Sequence, residues 1–254
     1  MRVVRSIREL ALPRNGVVGL VPTMGALHEG HVALFEAARP QCDVLVASIF
    51  VNPAQFGDSA DLAAYPRDLG ADAAVAEASG VDVVFAPPQH EMYPFGFATW
   101  VLPQGAAEGL EAEFRPGHFR GVATVCVKLF NIVRPQRAWF GRKDAQQVAV
   151  LKQVVRDLNI DVDIRVVDTV RDEDGLAVSS RNARLSPAER ERALAIPRAL
   201  ATRDAAAARS VLMQAGIEPE YLAVADLDGP TLAVAARVGG TRLIDNVRLE
   251  GDRS

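Results

Sequence analysis

An α/β fold is predicted, with a doubly wound parallel sheet carrying helices on both faces and a smaller α+β domain after it. Three observations predict this. Short apolar, β-rich runs alternate with segments of helical periodicity through the first two-thirds of the 254-residue chain. Breakers such as Asn52-Pro53 and Pro87-Pro88 close the runs. Past about Ser180 the texture changes to helix-rich sequence followed by three strand-like runs. Buried strands alternating with helices read as βαβ units.

The elements follow in order. Val17 to Val21 ("VVGLV") reads as a buried strand, and Gly30 to Arg39 as a helix. Val44 to Val51 ("VLVASIFV") is a second buried strand. An alanine-rich helix runs from Asp68 to Ser79 and ends at Gly80. Val81 to Ala86 is a third strand. Val122, Val125, Leu129, Ile132 and Val133 have helical spacing. Ala138 to Phe140 is a short strand, Asp144 to Leu158 a helix, and Ile160 to Val167 a further strand. Ser186 is a good N-cap with Pro187 in the first helical position. Ala205 to Ala208 belongs to a helix, and "YLAVADLD", "TLAVAARVG" and "TRLIDNVRLE" read as strands. A Rossmann-like α/β domain is expected over 1–170 and a smaller α+β domain over 171–254.

Composition narrows the function classes. The chain is 49% hydrophobic and 24% charged with a formal net charge of −4. That balance supports neither a broad nucleic-acid footprint nor a polybasic membrane contact. Cys42 and Cys126 sit among apolar residues and read as two buried, reduced thiols without CxxC spacing. No signal-peptide core and no membrane-length apolar run is visible, so the expected compartment is the cytoplasm.

In doubly wound sheets ligands bind beyond the carboxyl ends of the strands. The segments to read are therefore "PTMGALHEGH", "NPAQFG", "GRKDAQQ" and "DTVRDEDGLAVSSRN". His28 and His31 stand three apart with Gly30 between them. A zinc helix of the H-E-x-x-H kind needs four, and no third ligand is obvious. Two structural histidines remain an alternative. The placement between a strand and a helix N-terminus favours phosphate, which unpaired helix N–H groups and imidazole donors can hold. Gly25 and Gly30 let the backbone come close to the ligand. Lys143, at a helix start, and Ser179, Ser180 and Arg181, in a loop, are two further elements able to surround a triphosphate. No GxxxxGK[ST] loop exists.

"VPTMGALHEGH", "IFVNPAQFG", "DLAAYPRD", "EFRPGHFRGVATVCVKLFNIVRP", "FGRKDAQQ" and "DGLAVSSRN", in this order and spacing, resemble the pantoate–β-alanine ligases (pantothenate synthetases) of the HIGH-type nucleotidyltransferase superfamily. The resemblance extends weakly to "TRLIDNVRLE". It implies an ATP-dependent condensation of pantoate with β-alanine through a pantoyl adenylate, with Mg²⁺ accompanying the triphosphate and a homodimer as the working form. By the same resemblance Met24, Gly25, Ala26, Leu27, His28, Glu29, Gly30 and His31 line the ATP site, with His31 a proton donor. Gly141, Arg142, Lys143 and Asp144 hold the nucleotide, Asp144 at the ribose hydroxyls and Lys143 at the transferring phosphate. Val170, Val178, Ser179, Ser180 and Arg181 complete the site. Gln55 and Gln147 bind pantoate, with Asn52 near the β-alanine pocket.

The chain departs from the family pattern in places. Arg142 stands where an acidic residue is usual, and Ala145 where an aromatic is frequent. The helix after Tyr65 carries Asp72 but few other polar residues. The run from Asp228 to Thr231 is short, which would trim a lid. Arg115 and His118 could reach the anion site, a subunit contact or only a structural loop. Lys128 reads as solvated, and Trp100 and Trp139 as core or interface. Two other functions stay open at this level: transfer of AMP or CMP to a phosphorylated acceptor, and a nucleotide-binding module without catalysis.

Overall fold

The computed structural model describes residues 1–13 and 15–249. Six strands form one parallel sheet: β1 (Arg2–Val4), β2 (Val18–Thr23), β3 (Val44–Ile49), β4 (Val83–Phe85), β5 (Arg137–Gly141) and β6 (Asp163–Val167). Their spatial order is β1-β4-β3-β2-β5-β6. All pairs are parallel. The helices between them are α1 (Glu29–Ala38), α2 (Ser59–Ala63), α3 (Leu69–Ala78), α4 (Gln89–Met92), α5 (Glu111–Phe114), α6 (His118–Val133) and α7 (Ala145–Asp157). The expected strands and helices are present, most trimmed by a residue or two. The largest cut is at Ile160 to Val162, which precede β6.

Alternation of side chains explains the two faces. Leu20, Val46, Val83, Phe85, Ala138 and Phe140 point into a core shared with α6 and α7. Their neighbours Val21, Leu45, Ala47, Val84 and Trp139 point the other way, onto α1 and α3. The apolar face of α6, from Val122 through Val125 and Leu129 to Val133, is the largest slab covering the first face. Trp139 is fully in the core, whereas Trp100 is 40% exposed. Cys126 is buried as expected, but Cys42 is only half-buried at the sheet's rim. Lys128 does not stand free in solvent, because its ammonium lies 5.0 Å from the Phe97 ring centroid.

The remaining chain builds α8 (Pro187–Ala193), α9 (Ala195–Ala201), α10 (Ala205–Gln214) and an antiparallel sheet of β7 (Pro219–Asp226), β8 (Pro230–Val238) and β9 (Thr241–Arg248) in the order β7-β8-β9. Ser186 caps α8 in a box with Glu189, which satisfies two otherwise unpaired N–H groups. One face of this sheet packs on the three helices in a separate core. The other face meets the parallel-sheet unit. There Arg242 donates to both oxygens of Glu111, at 2.7 and 2.9 Å, and Tyr221 adds a 2.9 Å hydrogen bond. Burial acts to raise the Glu111 pKa, but the Arg242 bonds and charge override it and hold the carboxyl below its usual value.

The two departures at the start of α7 are explained by this contact. Ala145 is buried with Leu227 and Ala233, so a small side chain lets the second sheet close on the helix. The Arg142 guanidinium lies 3.4 Å from Asp168 and 3.7 Å from Asp228. Asp228 also takes a 2.6 Å bond from Lys152. The short Asp228–Thr231 run is a tight turn that docks on α7.

Gly121 in α6 places one wall of the future site. A Cβ there would collide with the backbone of Ala54 and Gln55. The bare helix backbone lets the Pro53–Gln55 turn sit directly on it. Gly121→Ala is expected to destabilise the protein by about 1–3 kcal/mol, the usual cost of overpacking. Urea unfolding checks this; an unchanged midpoint would contradict the packing described.

Candidate active site

The winding of the sheet reverses between β2 and β5, which are neighbours although β3 and β4 separate them in sequence. Such a switch point leaves a crevice beyond the strand ends. Four segments meet there around a cleft of about 240 Å³. Met24, His28, Gly30 and His31 come from the β2–α1 loop. Gln55 and Asn52 follow β3. Gly141, Lys143, Asp144 and Gln147 come from β5 and α7. Ser179, Ser180 and Arg181 come from the segment after β6. A second hollow of about 430 Å³ runs on from Lys143, Asp144, Ser179 and Arg181 toward the second sheet.

The β2–α1 loop is shaped by its own backbone needs. Gly25 has φ +79° and Ala26 φ +51°, so the chain turns in the left-handed region. Two bonds to the carboxylate of Asp72, which is 5% exposed, fix the turn: Ala26 N–H at 3.1 Å and Leu27 N–H at 2.8 Å. Asp72 is the polar residue of α3 whose function the sequence did not reveal. Gly25, Ala26, Leu27 and Glu29 shape the loop without being among the residues that line the cleft.

The histidine pair is a capping device. Gly30 N–H donates to His28 Nδ1 at 3.1 Å, and His28 N–H donates to His31 Nδ1 at 3.2 Å. Backbone N–H groups only donate, so both Nδ1 atoms accept and both neutral rings carry their proton on Nε2. The N–H groups of Gly30, His31 and Val32 are already engaged within the turn. Three amides of the first turn of α1 are thus spent within the protein, while the imidazole Nε2–H groups point to partners outside the cap. A Cβ on Gly30 would press on the His28 ring, so the glycine is needed for the cap. Burial first, and then the Lys143 charge, hold His28 below its ordinary pKa. Burial, His28 and Lys143 together push His31 down to about 3. In the unliganded protein both are neutral donors and neither is an acid.

The β3 turn shows a similar economy. Asn52 is 1% exposed. Its Nδ2 donates to Gln55 Oε1 and Gly121 O, and its Oδ1 accepts from Ala54 N–H and Tyr93 OH. Every polar atom of Asn52 is thereby used, so it orients Gln55 and has nothing left for a substrate. Gln55, with its oxygen taken, presents its NH₂ to the cleft. The Gln55 carbonyl accepts from His118 Nδ1 at 3.0 Å, leaving His118 Nε2 to accept from Arg115 Nη1 at 3.2 Å. Arg115 and His118 therefore belong to the cleft wall.

Lys143 and Asp144 face the cleft from the turn before α7. Arg142 points the other way, to Asp168 and Asp228. Val170 and Val178 pair with one another through the 2.9 Å bond from Val178 N–H to Val170 O. They stiffen the Asp172–Gly175 turn and are not among the lining residues. Ser179 caps the short helix that carries Arg181, whose guanidinium lies 3.8 Å from Asp61. Among the described residues no group of three or more His, Cys, Asp or Glu is placed to hold a metal ion.

The buried histidines tie stability to pH. Burial, and then the Arg115 charge, drive His118 to about 4. An unfolded histidine titrates near pH 6.5. Above that, the native advantage is complete. Below it, the unfolded chain binds a proton that native His118 refuses, and stability falls by about 1.4 kcal/mol per pH unit from this residue. The loss continues to about pH 4. His118→Gln is expected to flatten the decline of unfolding free energy between about pH 6.5 and 4.5 in urea titrations. Equal slopes for variant and parent would contradict it.

Comparison with known proteins identifies the family. The family description "Pantoate-beta-alanine ligase" matches residues 1–248. A pantothenate synthetase of Chloroflexus aurantiacus is 48% identical, covering 99% of each chain. That of Moorella thermoacetica is 50% identical over 97% of this chain and 96% of its own. The crystal structure of pantothenate synthetase from Thermus thermophilus superposes with a TM-score of 0.92 at 46% identity, covering 99% of this chain and all of that one. The Francisella tularensis ligase, complexed with β,γ-ATP and β-alanine, gives 0.89 at 35% identity with full coverage of both chains. Among the described residues no helix is long and apolar enough to cross a membrane. Family match, relatives and superposition all cover nearly the whole chain, and the protein belongs to the pantoate–β-alanine ligase family.

Proposed function

We propose that this cleft joins pantoate to β-alanine at the expense of ATP, with the residues above in the following roles. A carboxylate is a poor acyl donor until one oxygen is esterified to a good leaving group. A pantoate carboxylate oxygen attacks the α-phosphorus of ATP, and pyrophosphate leaves. The amine of β-alanine then attacks the acyl carbon, the C–O bond to phosphate breaks, and AMP departs. The observation that carries this reading is the convergence of two neutral imidazole N–H donors, Lys143 and Arg181 on one switch-point cleft. Such fixed donors stabilise charge that grows on the phosphate oxygens. The β,γ-ATP and β-alanine complexed with the Francisella relative support the choice of substrates.

His28 and His31 donate from Nε2 to the phosphates, and the triphosphate's negative charge raises their pKa values on binding. Lys143 neutralises the charge of the transferring phosphate. Ser179, Ser180 and Arg181 close on the pyrophosphate side, and Asp144 accepts hydrogen bonds from ribose hydroxyls. Gln55 donates to the pantoate carboxylate, and Gln147 reaches its hydroxyls. The cations lining the cleft, Arg115, Lys143 and Arg181 set against Asp144, leave the triphosphate only partly neutralised, and magnesium enters with ATP as part of that substrate. Burial of the adenylate between the two sheets keeps water from the acyl carbon. The catalytic unit spans 1–170 and the covering unit 171–254, of which 250–254 lie outside the described residues. A cytoplasmic homodimer is the form the family resemblance implies.

Lys143→Ala is expected to slow pyrophosphate release from ATP and pantoate by about two to three orders of magnitude, the effect of removing one preorganised charge stabiliser. A variant within a few-fold of the parent would overturn the role of Lys143. Product analysis tests the reaction itself: AMP release should depend on both pantoate and β-alanine. A stable dinucleotide product would replace it with nucleotidyl transfer to an acceptor.

A further inference from the structure

The "TRLIDN" run of β9 resembles the family but has no role in the site as described so far. Strand β9 lies between two environments. Leu243 and Val247 face the helices of the second core. Arg242, Ile244, Asn246 and Arg248 alternate with them on the face toward the parallel-sheet unit. Asp245 and Asn246 are nevertheless both buried, at 3% and 6% exposure. Burial of two successive polar residues means that each has been matched to a partner.

Their partners are the two turns that carry the cationic groups of the cleft. Asn246 Nδ2 donates to the carbonyl of Arg142 at 2.9 Å and to that of Lys143 at 3.0 Å. Asp245 receives Arg171 through both oxygens, at 2.7 and 3.1 Å, and also Asn246 N–H at 2.8 Å. Arg171 in turn donates to Gly175 O at 3.1 Å and so ties down the turn that leads into Ser179–Arg181. One dipeptide thus acts on both sides of the cleft, directly on the backbone of residues 142 and 143 and through the Arg171 side chain on Gly175. An amide held at the carbonyls of residues 142 and 143 fixes the direction in which the Lys143 side chain leaves the chain.

We propose that Asn246 is a positioning residue for Lys143, assisted by Asp245 on the opposite turn, and that the second sheet therefore takes part in adenylate formation instead of only covering it. Asn246 touches no substrate; it acts through the backbone of residues 142 and 143. The inference rests on the role given to Lys143 above.

The test is a double-mutant cycle on the intact chain, following pyrophosphate release with ATP-Mg²⁺, pantoate and β-alanine at saturation so that the adenylate is consumed and the enzyme turns over. Asn246→Ala should lower kcat about 10- to 100-fold, the scale of a misplacement near 1 Å, with the pantoate KM changed less than about twofold. In a Lys143→Ala background the same substitution should change kcat by less than about twofold. Asn246→Leu, which keeps the volume and removes the donors, should behave alike, and thermal unfolding verifies that each variant is folded. Equal losses in both backgrounds would overturn the positioning role while leaving Lys143 in place. Near-normal turnover by Lys143→Ala alone would instead overturn the reading on which the inference rests.

Discussion

The reversal of winding between β2 and β5 is the constraint from which the site follows. On one side of it the chain proceeds through β3 and β4, on the other through β5 and β6. Helices α1 and α7 therefore leave the sheet on opposite faces, and their N-terminal turns diverge around an opening that no main chain fills. His28 and His31 stand at one turn, Lys143 and Asp144 at the other. Neither set could face the other if the strands ran in sequence order.

Electrostatic economy governs what is placed in that opening. A cleft that must accept a highly charged anion needs donors, but a cluster of permanent cations would repel itself in the absence of ligand. The chain solves this with imidazoles kept neutral by burial and by Lys143. Neutral donors add no repulsion to the cleft, and an anion brought against them would raise their pKa values toward the charged form. Around them Asp72, Asn52 and Glu111 are spent on the protein's own amides and guanidinium groups. These buried polar residues are costly unless every partner is supplied, and so they specify one arrangement of loops.

Much of this was legible in the residue order. Continuous apolar runs located the strands, because burial on both sheet faces demands them, and period-3.6 patterns located the long helices. The sheet rule then pointed to the loops after the strands, and the cleft does gather His28, His31, Gln55, Lys143, Gln147 and Arg181. What stayed hidden depends on partners remote in sequence. Strand β1 is a three-residue edge element with two exposed positions, too brief for a periodic signal. Asn52 has the right chemistry for a ligand, and only the structure shows its four hydrogen-bonding positions filled from within the protein. Arg142 and Lys143 are adjacent, but which of them faces the cleft is set by the turn and by Asp228. Asp72, Arg115 and His118 became meaningful only once the loops they support were placed. The "HEGH" tetrapeptide reads as a donor pair only when its tautomers are fixed by the cap.

The seam between β9 and the Lys143 turn also bears on how the molecule is made. Synthesis runs from the amino end, and units tend to fold as they emerge. The histidines, the lysine and the arginine of the cleft all leave the ribosome before Thr241. A nascent chain can thus own every charged group of the site while the carbonyls of residues 142 and 143 still await the amide of Asn246. Completion of this turn belongs to β9, the last of the described strands, so the order of translation places it after the cleft's own side chains have emerged.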